Sequence, residues 1–176
     1  MTIETGTCSV RWLVEPLTGV TGNQRERERT LAHVLLCRLV GTENLRLEHN
    51  THGAPYLPEY PDLHVSISHC RTAVAVAVSD TVAAGIDIES RRKTNPSLIE
   101  RICTPDEQAA LRLADDAEMA FLRLWTRKEA VLKCRGTGIR GFESMVHALE
   151  TSNIEVRDLP CDLPDTVVAL ATVKDE

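Results

Sequence analysis

Leu63-His-Val-Ser-Ile-Ser-His-Cys-Arg-Thr-Ala-Val-Ala-Val-Ala-Val-Ser-Asp-Thr-Val-Ala-Ala-Gly-Ile-Asp-Ile-Glu89 reads as three strands in succession. Leu63–Ser68 alternates apolar and polar side chains, Ala73–Ser79 alternates Ala and Val without a polar break, and Val82–Glu89 follows. Ser79-Asp80-Thr81 suits a hairpin turn between the last two. Small unbroken apolar runs predict strands covered on both faces. Upstream, residues 9–15 read as a strand and Pro16 to Asn23 as a turn-rich loop. Arg25–Val40 has helical periodicity, with Leu31, Val34, Leu35, Cys37 and Leu39 on an apolar side and Gly41 as the C-cap. Leu45–Glu48 is expected to be a strand, and residues 52–62, with three prolines and a glycine, an irregular loop. Downstream, Pro96–Ile102 makes one or two helical turns. Thr104 caps a helix to Leu113, with Pro105 in the first turn and Glu107 closing a capping box. A longer helix spans Ala117–Cys134, and residues 153–158 and 165–173 are strands. The class is α+β, and helix followed by strands in both halves fits two related lobes.

The charge of this 176-residue chain is unevenly spread. The net −6 comes entirely from residues 143–176, because residues 1–142 hold 18 basic and 18 acidic side chains. Aromatics are only 3%, which disfavours a binder that stacks on bases, and the acidic balance disfavours a general nucleic-acid partner. No apolar run reaches the roughly 18 residues of a membrane helix, and the first residues lack the basic and apolar segments of a secretory signal. Six cysteines without a Cys-x-x-Cys pair argue against a zinc ribbon. Reduced thiols and a cytoplasmic location are the expectation.

Four constellations carry chemistry. In Gly85-Ile-Asp-Ile-Glu89, residues two apart share a strand face, so Asp87 and Glu89 stand side by side with Ile86 and Ile88 turned to the core. Adjacent carboxylates repel unless a cation neutralises them, and hard oxygen ligands suit Mg2+. Taken alone, the pentapeptide fits a strand running out into a solvated acidic end better than a metal site. On the helix, Trp125, Glu129 and Lys133 fall at i, i+4 and i+8 on one face. Residues 121–142 contain six Lys or Arg and one acid, Glu129. That carboxylate is either half of an ordinary helix ion pair or is placed for a metal or a proton. In Val65-Ser-Ile-Ser-His69, Val65 and Ile67 point inward and Ser66 and Ser68 to the other face. Ser68 and His69 mark the strand exit, where a histidine can donate to a phosphate or simply sit in solvent. Arg25-Glu-Arg-Glu-Arg-Thr30 reads as a solvated helix start, with Arg29 the better candidate for an anion contact.

Ser-Ile-Ser-His at 66–69, Gly-Ile-Asp-Ile-Glu at 85–89 and Leu-Trp-Thr-Arg-Lys-Glu-Ala-Val-Leu-Lys at 124–133 resemble, in order and spacing, the signature motifs of the 4′-phosphopantetheinyl transferases. The match is to the surfactin-synthetase-activating, single-chain type and spans about residues 25–145. The Arg29-Thr-Leu31 helix and the Gly-x-Pro loop at 53–55 fall in register.

The resemblance implies an α+β fold of two lobes with pseudo-twofold symmetry. Residues 1–84 would carry the coenzyme A-contacting helix, loop and strands, and residues 85–176 the metal site and the Trp-x-x-Lys-Glu helix. It implies transfer of the 4′-phosphopantetheine arm of coenzyme A to a serine of an apo acyl or peptidyl carrier protein, releasing 3′,5′-ADP. The metal, Mg2+ or Mn2+, would be held by Asp87, Glu89 and Glu129. Lys133 would stabilise the leaving group, and Arg29, Ser68, His69 and Lys128 would contact coenzyme A. Glu129, or a water it orients, is the first choice of base, and Glu107 the second. The partner would be an acidic helical carrier docking by the basic 121–142 segment, beside Gly136-Thr-Gly138, and the protein a monomer.

The sequence departs from the family at Ala54, where a lysine is expected, at Ala130, where a serine is usual, and in its short N-terminal segment. Arg25, Arg27 or Arg46 could supply the missing cation. Ala54 is also the ground for the competing reading, a catalytically degenerate module that binds coenzyme A or a carrier protein. A different Mg-dependent phosphate-transfer enzyme is disfavoured by the lack of a Walker loop or an acidic repeat.

Overall fold

The segment Ala73–Ser79 is buried along its whole length, and its Ala/Val alternation explains the architecture. In the computed structural model, which describes residues 10–136 and 143–174, the elements follow a mixed α+β order. They are β1 (Val10–Pro16), α1 (Gln24–Val40), β2 (Glu48–His49), β3 (Pro55–Tyr56), β4 (His64–His69), β5 (Ala73–Ser79) and β6 (Ala84–Ser90). There follow α2 (Pro96–Ile102), α3 (Pro105–Leu113), α4 (Ala117–Cys134), α5 (Glu143–Val146), β7 (Ile154–Leu159) and β8 (Thr166–Val173).

Val74, Val76 and Val78 of β5 pack with Ala32, Leu35 and Leu36 of α1. Ala73, Ala75 and Ala77, on the opposite face, pack with Ile86 and Ile88 of β6 and Val168 and Leu170 of β8. Branched residues fill the gap to a helix, while the methyl groups of alanine let a second sheet approach. The second sheet repeats the device: Ala169 and Ala171 of β8 pack with Ala130, Val131 and Cys134 of α4. The succession is α1, first sheet, second sheet, α4. Burying such faces contributes roughly 25 cal/mol per Å² of apolar surface.

Both three-stranded sheets are antiparallel, ordered β1-β5-β4 and β6-β8-β7. In each, the last strand in sequence is central, and the long helix lies between the first and second strands. The sheets adjoin along β4 and β6 without a backbone ladder. Instead the Ile86 N–H donates to Ser66 Oγ (3.0 Å) and the Ile88 N–H to Ser68 Oγ (3.4 Å). Serine side chains thus satisfy amides that an edge strand would leave open.

Most expected elements form. Capping boxes start α1, from Asn23 and Glu26, and α3, from Thr104 and Glu107, and Asp116 accepts the Met119 N–H at the start of α4. Three expectations are corrected. Ser79-Asp80-Thr81 does not close a hairpin: β5 has both edges taken by β1 and β4, so the chain crosses to the other sheet and β6 pairs with β8. The strand expected at 45–48 shrinks to Glu48–His49, because the Leu45 side chain is buried under α1 and its carbonyl bonds His33 Nε2. The loop at 52–62 hides a short strand, Pro55–Tyr56, paired to β2.

Among the described residues, no helix is long and apolar enough to cross a membrane. Cys37, Cys70, Cys103, Cys134 and Cys161 are free thiols.

Candidate functional site

The face of β6 turned to α4 presents Gly85, Asp87 and Glu89. Gly85 lets the helix backbone close on the strand, and this brings Lys133 and Glu129 over the carboxylates. Asp87 is only 5% exposed, so the solvated acidic end does not apply to it. Its Oδ1 accepts two bonds of 2.7 Å, from Ser68 Oγ and from Lys133 Nζ, while its Oδ2 is buried without a partner. Lys133 Nζ also donates to the Ile86 carbonyl at 3.2 Å. Glu129 is 8% exposed, and its carboxyl is pushed up to about 7, first by burial and then by the negative charge of Asp87, with Glu89 adding to it. Glu89 is also raised, chiefly by burial, against the lowering charge of Arg92 at 3.0 Å and a hydrogen bond from the Trp125 indole. The Arg92 guanidinium lies 5.9 Å from the Trp125 ring centre.

Glu89, Arg91 and Arg92 line a cleft of about 580 Å³ together with Gln24, Glu28, His69 and Arg71. His69 pairs with Glu28 at 3.5 Å, and these two residues also line a second cavity of about 640 Å³. Arg25, Arg29, His33, His49, Gly53 and Pro55 contribute to that second cavity. Arg29, His69 and the Gly-x-Pro loop, far apart in sequence, therefore meet around one space. Of the cations offered in place of the loop lysine, Arg25 is there. Arg27 instead donates to the Leu17 carbonyl, and Arg46 pairs with Glu48 and Glu59.

Three other expected contacts of coenzyme A or of the proton are engaged within the protein. Lys128 is fully buried, and its ammonium donates to the Ile102 carbonyl (2.8 Å), Glu107 Oε2 (2.6 Å) and the Val146 carbonyl (2.9 Å). Three acceptors use its three hydrogens, which leaves none for a phosphate. Glu107 Oε2 takes this lysine and the Thr104 N–H, which makes Glu107 a structural partner and not a base beside Glu129. Ser68 is buried, and its single hydroxyl hydrogen goes to Asp87, not to a ligand. The basic 121–142 segment is largely neutralised where it is described: Arg127 makes a bidentate pair with Asp158 (2.8 and 2.8 Å), Lys128 meets Glu107 and Lys133 meets Asp87. Thr137 and Gly138, placed at the expected docking edge, lie outside the described residues.

Sequence reasoning missed Ser66, Arg92 and the polar role of Trp125. Arg92, three residues after Glu89, was visible as a neighbouring cation. Ser68 entered only through the resemblance, as a coenzyme A contact, because alternation puts both β4 serines on the face opposite Val65 and Ile67 without saying what covers it.

No group of three or more His, Cys, Asp or Glu is gathered to metal-binding distance among the described residues. The donor set nonetheless suits a hard divalent cation. Asp87 Oδ2 is a buried orphan, which costs about 1–3 kcal/mol when unmet. Glu89 and Glu129 are both raised by Asp87, a repulsion that a cation among them would relieve.

Residues 83–168 match the family model of the 4′-phosphopantetheinyl transferase superfamily. The chain is 29% identical over 154 residues to the 4′-phosphopantetheinyl transferase Sfp of Bacillus subtilis, covering 79% of this chain and 68% of that protein. It is 34% identical over 121 residues to psf-1 of Bacillus pumilus (67% of this chain, 52% of that protein). It is also 34% identical over 90 residues to another Bacillus subtilis 4′-phosphopantetheinyl transferase (50% and 40%). The chain thus spans from 40% to 68% of the length of these curated relatives. The matched family segment contains β6, α4 and the carboxylates between them, so the candidate site lies in the part of the chain that is similar to the 4′-phosphopantetheinyl transferase superfamily.

Proposed function

We propose that this protein transfers the 4′-phosphopantetheine moiety of coenzyme A to a serine hydroxyl of an apo acyl or peptidyl carrier protein. The observation that carries the reading is the meeting of Asp87, Glu89, Glu129 and Lys133, with Glu89 lining a cleft that shares Glu28 and His69 with a neighbouring cavity lined by Arg25 and Arg29. Carboxylates for a cation, with arginines and a histidine in the adjoining cavity, match a substrate with a pyrophosphate and a further phosphate on its ribose.

Asp87, Glu89 and Glu129 are the residues that would hold Mg2+ or Mn2+. The bound metal supplies charge neutralisation at the attacked β-phosphate and on the departing 3′,5′-ADP. Lys133, which pairs with Asp87, would meet the pyrophosphate oxygens and stabilise the leaving group. The serine oxygen bonds to the β-phosphorus as the bond to the bridging pyrophosphate oxygen breaks. The serine proton passes to Glu129 or to a water it orients. Arg29, Arg25 and His69 hold the nucleotide end of coenzyme A. Arg25 lines the same cavity as Gly53 and Pro55, which supports it as the cation in place of a lysine at Ala54 and favours the transferase over the degenerate binding module.

We read residues 1–84 and 85–176 as lobes related by a pseudo-twofold axis, and the shared strand order of the two sheets supports this. The carrier is an acidic helical protein, the transferase is a monomer, and it works in the cytoplasm.

Intact-mass analysis of several apo carrier proteins, incubated with the protein, coenzyme A and Mg2+, tests the proposal. A phosphopantetheine mass gain is expected, lost on Asp87→Ala with the fold kept. Absence of the gain across all carriers overturns it.

A further inference from the structure

Ser66 and Ser68 occupy equivalent positions on β4, yet they do different things. Each accepts one amide of β6, from Ile86 and Ile88. Only Ser68 makes a second bond, donating its hydroxyl hydrogen to Asp87 Oδ1 at 2.7 Å. Lys133 donates to that same oxygen at 2.7 Å. Two donors from opposite sides, one on the first sheet and one on α4, fix a single carboxylate oxygen. The other oxygen, Oδ2, stays buried and unpartnered. Without Ser68 the carboxylate is free to turn and offer both oxygens to Lys133, because nothing else from β4 holds it.

We infer that Ser68 is a positioning residue: its hydroxyl reaches across the seam between the two sheets to hold the Asp87 carboxylate so that Oδ2 remains open to a cation. The link to a cation rests on the metal reading above; the link to Asp87 does not. Ser66 supplies an internal control, since it serves the seam in the same way without touching Asp87.

The test compares Ser66→Ala, Ser68→Ala and Ser68→Thr in the full chain by nuclear magnetic resonance, without metal and then with Mg2+. In metal-free protein, Ser66→Ala speeds exchange of the Ile86 amide and leaves the Asp87 side chain in one rotamer. Ser68→Ala speeds exchange of the Ile88 amide and averages the Asp87 rotamers, and Ser68→Thr restores a single rotamer. Calorimetry with Mg2+ alone gives a Kd raised about 10-fold by Ser68→Ala and changed less than about twofold by Ser66→Ala, in the range of losses for supports of metal ligands. An Asp87 that keeps one rotamer in Ser68→Ala, or loosens equally in Ser66→Ala, overturns the inference. Wild-type protein with a fixed Asp87 and no Mg2+ uptake instead overturns the metal reading, and the rotamer comparison still decides the role of Ser68. Should Ser68→Ala fail to fold, Ser68→Cys, which keeps the volume and weakens the donor, takes its place.

Discussion

Gly85 of β6 lies directly against the backbone of Ala130 on α4: a Cβ at position 85 would stand 2.1 Å from the Ala130 carbonyl oxygen and 2.3 Å from the Cys134 nitrogen. The contact is with backbone, which cannot turn aside as a side chain can. This one missing methyl sets the distance between the strand that carries Asp87 and Glu89 and the helix that carries Glu129 and Lys133.

Gly85→Ala should therefore act on both stability and site. Overpacking commonly costs about 1–3 kcal/mol, and a clash with helix backbone belongs at or above the top of that range. We expect a large drop in denaturation midpoint and, in the fraction that folds, loss of Mg2+ binding. A Gly85→Ala protein with wild-type midpoint and wild-type Mg2+ affinity contradicts this account of how the site is assembled.

Lys128 is a structural post. Its ammonium joins the end of α2 at Ile102, the Glu107 side chain of α3 and the Val146 carbonyl of α5, all onto α4. Removing one partner of such a buried pair costs about 3–5 kcal/mol, because the other charge is left uncompensated. Lys128→Met should destabilise by that order in urea unfolding, and the double variant Lys128→Met/Glu107→Leu should recover part of it. Turnover per folded molecule should stay within a few-fold of wild type in the double variant. A loss as complete as in Asp87→Ala would return these two residues to the chemistry.

These contacts show which parts of the molecule a sequence can express. The Ala/Val alternation at 73–79 and the caps at Thr104 and Asp116 are local patterns, and the elements they predict are present. Strand and helix periods put Asp87 with Glu89 and Glu129 with Lys133 on shared faces, but only the family resemblance gave the two pairs one role, and tertiary packing joins them. Lys128 was not legible: a lysine in a basic helix reads as exposed, and only the Glu107 carboxylate with carbonyls from two other helices makes its burial tolerable. The crossing from β5 to β6 was hidden because strand pairing is non-local, and a three-residue turn suits a hairpin or a crossover equally. Alternation puts the β4 serines opposite Val65 and Ile67, but it does not say that a second sheet covers that face.

Glu129 gives the metal-free protein a signature in pH. Its carboxyl stands at about 7 in the folded chain, above the ordinary 4.5, mainly through burial. A raised carboxyl contributes stability that is full below about 4.5 and is lost as pH rises through about 7, since the unfolded chain ionises first. The loss by pH 8 is of the order of 3 kcal/mol at most. In urea unfolding with chelator, wild-type protein should weaken from pH 5 to pH 8, while Glu129→Gln should weaken much less. Glu89, raised as well, leaves the variant some slope. Saturating Mg2+ should restore stability at pH 8 in wild type only. Identical pH slopes in wild type and Glu129→Gln would remove Glu129 from the buried cluster.

The two cavities should be separable by mutation. Arg25 and Arg29 line the cavity that reaches Gly53 and Pro55, Glu89 lines the neighbouring cleft, and the two share the His69–Glu28 pair. Reversing either arginine to glutamate removes a cation from the nucleotide end and places a like charge against a phosphate. A charged hydrogen bond contributes about 1.5–3 kcal/mol, so coenzyme A affinity should fall at least about 10-fold in Arg25→Glu and in Arg29→Glu. Mg2+ affinity measured without coenzyme A should be unchanged, because neither arginine is among the charges acting on Glu89 or Glu129. The weakening should shrink as salt is raised, since these side chains are exposed to solvent. If Arg29→Glu weakens binding and Arg25→Glu does not, the cation expected at position 54 has no substitute in Arg25, and the cavity holds its anion through Arg29 and His69 alone. If neither variant weakens binding, the nucleotide end of coenzyme A lies outside this cavity and the orientation of the substrate along the cleft must be reversed.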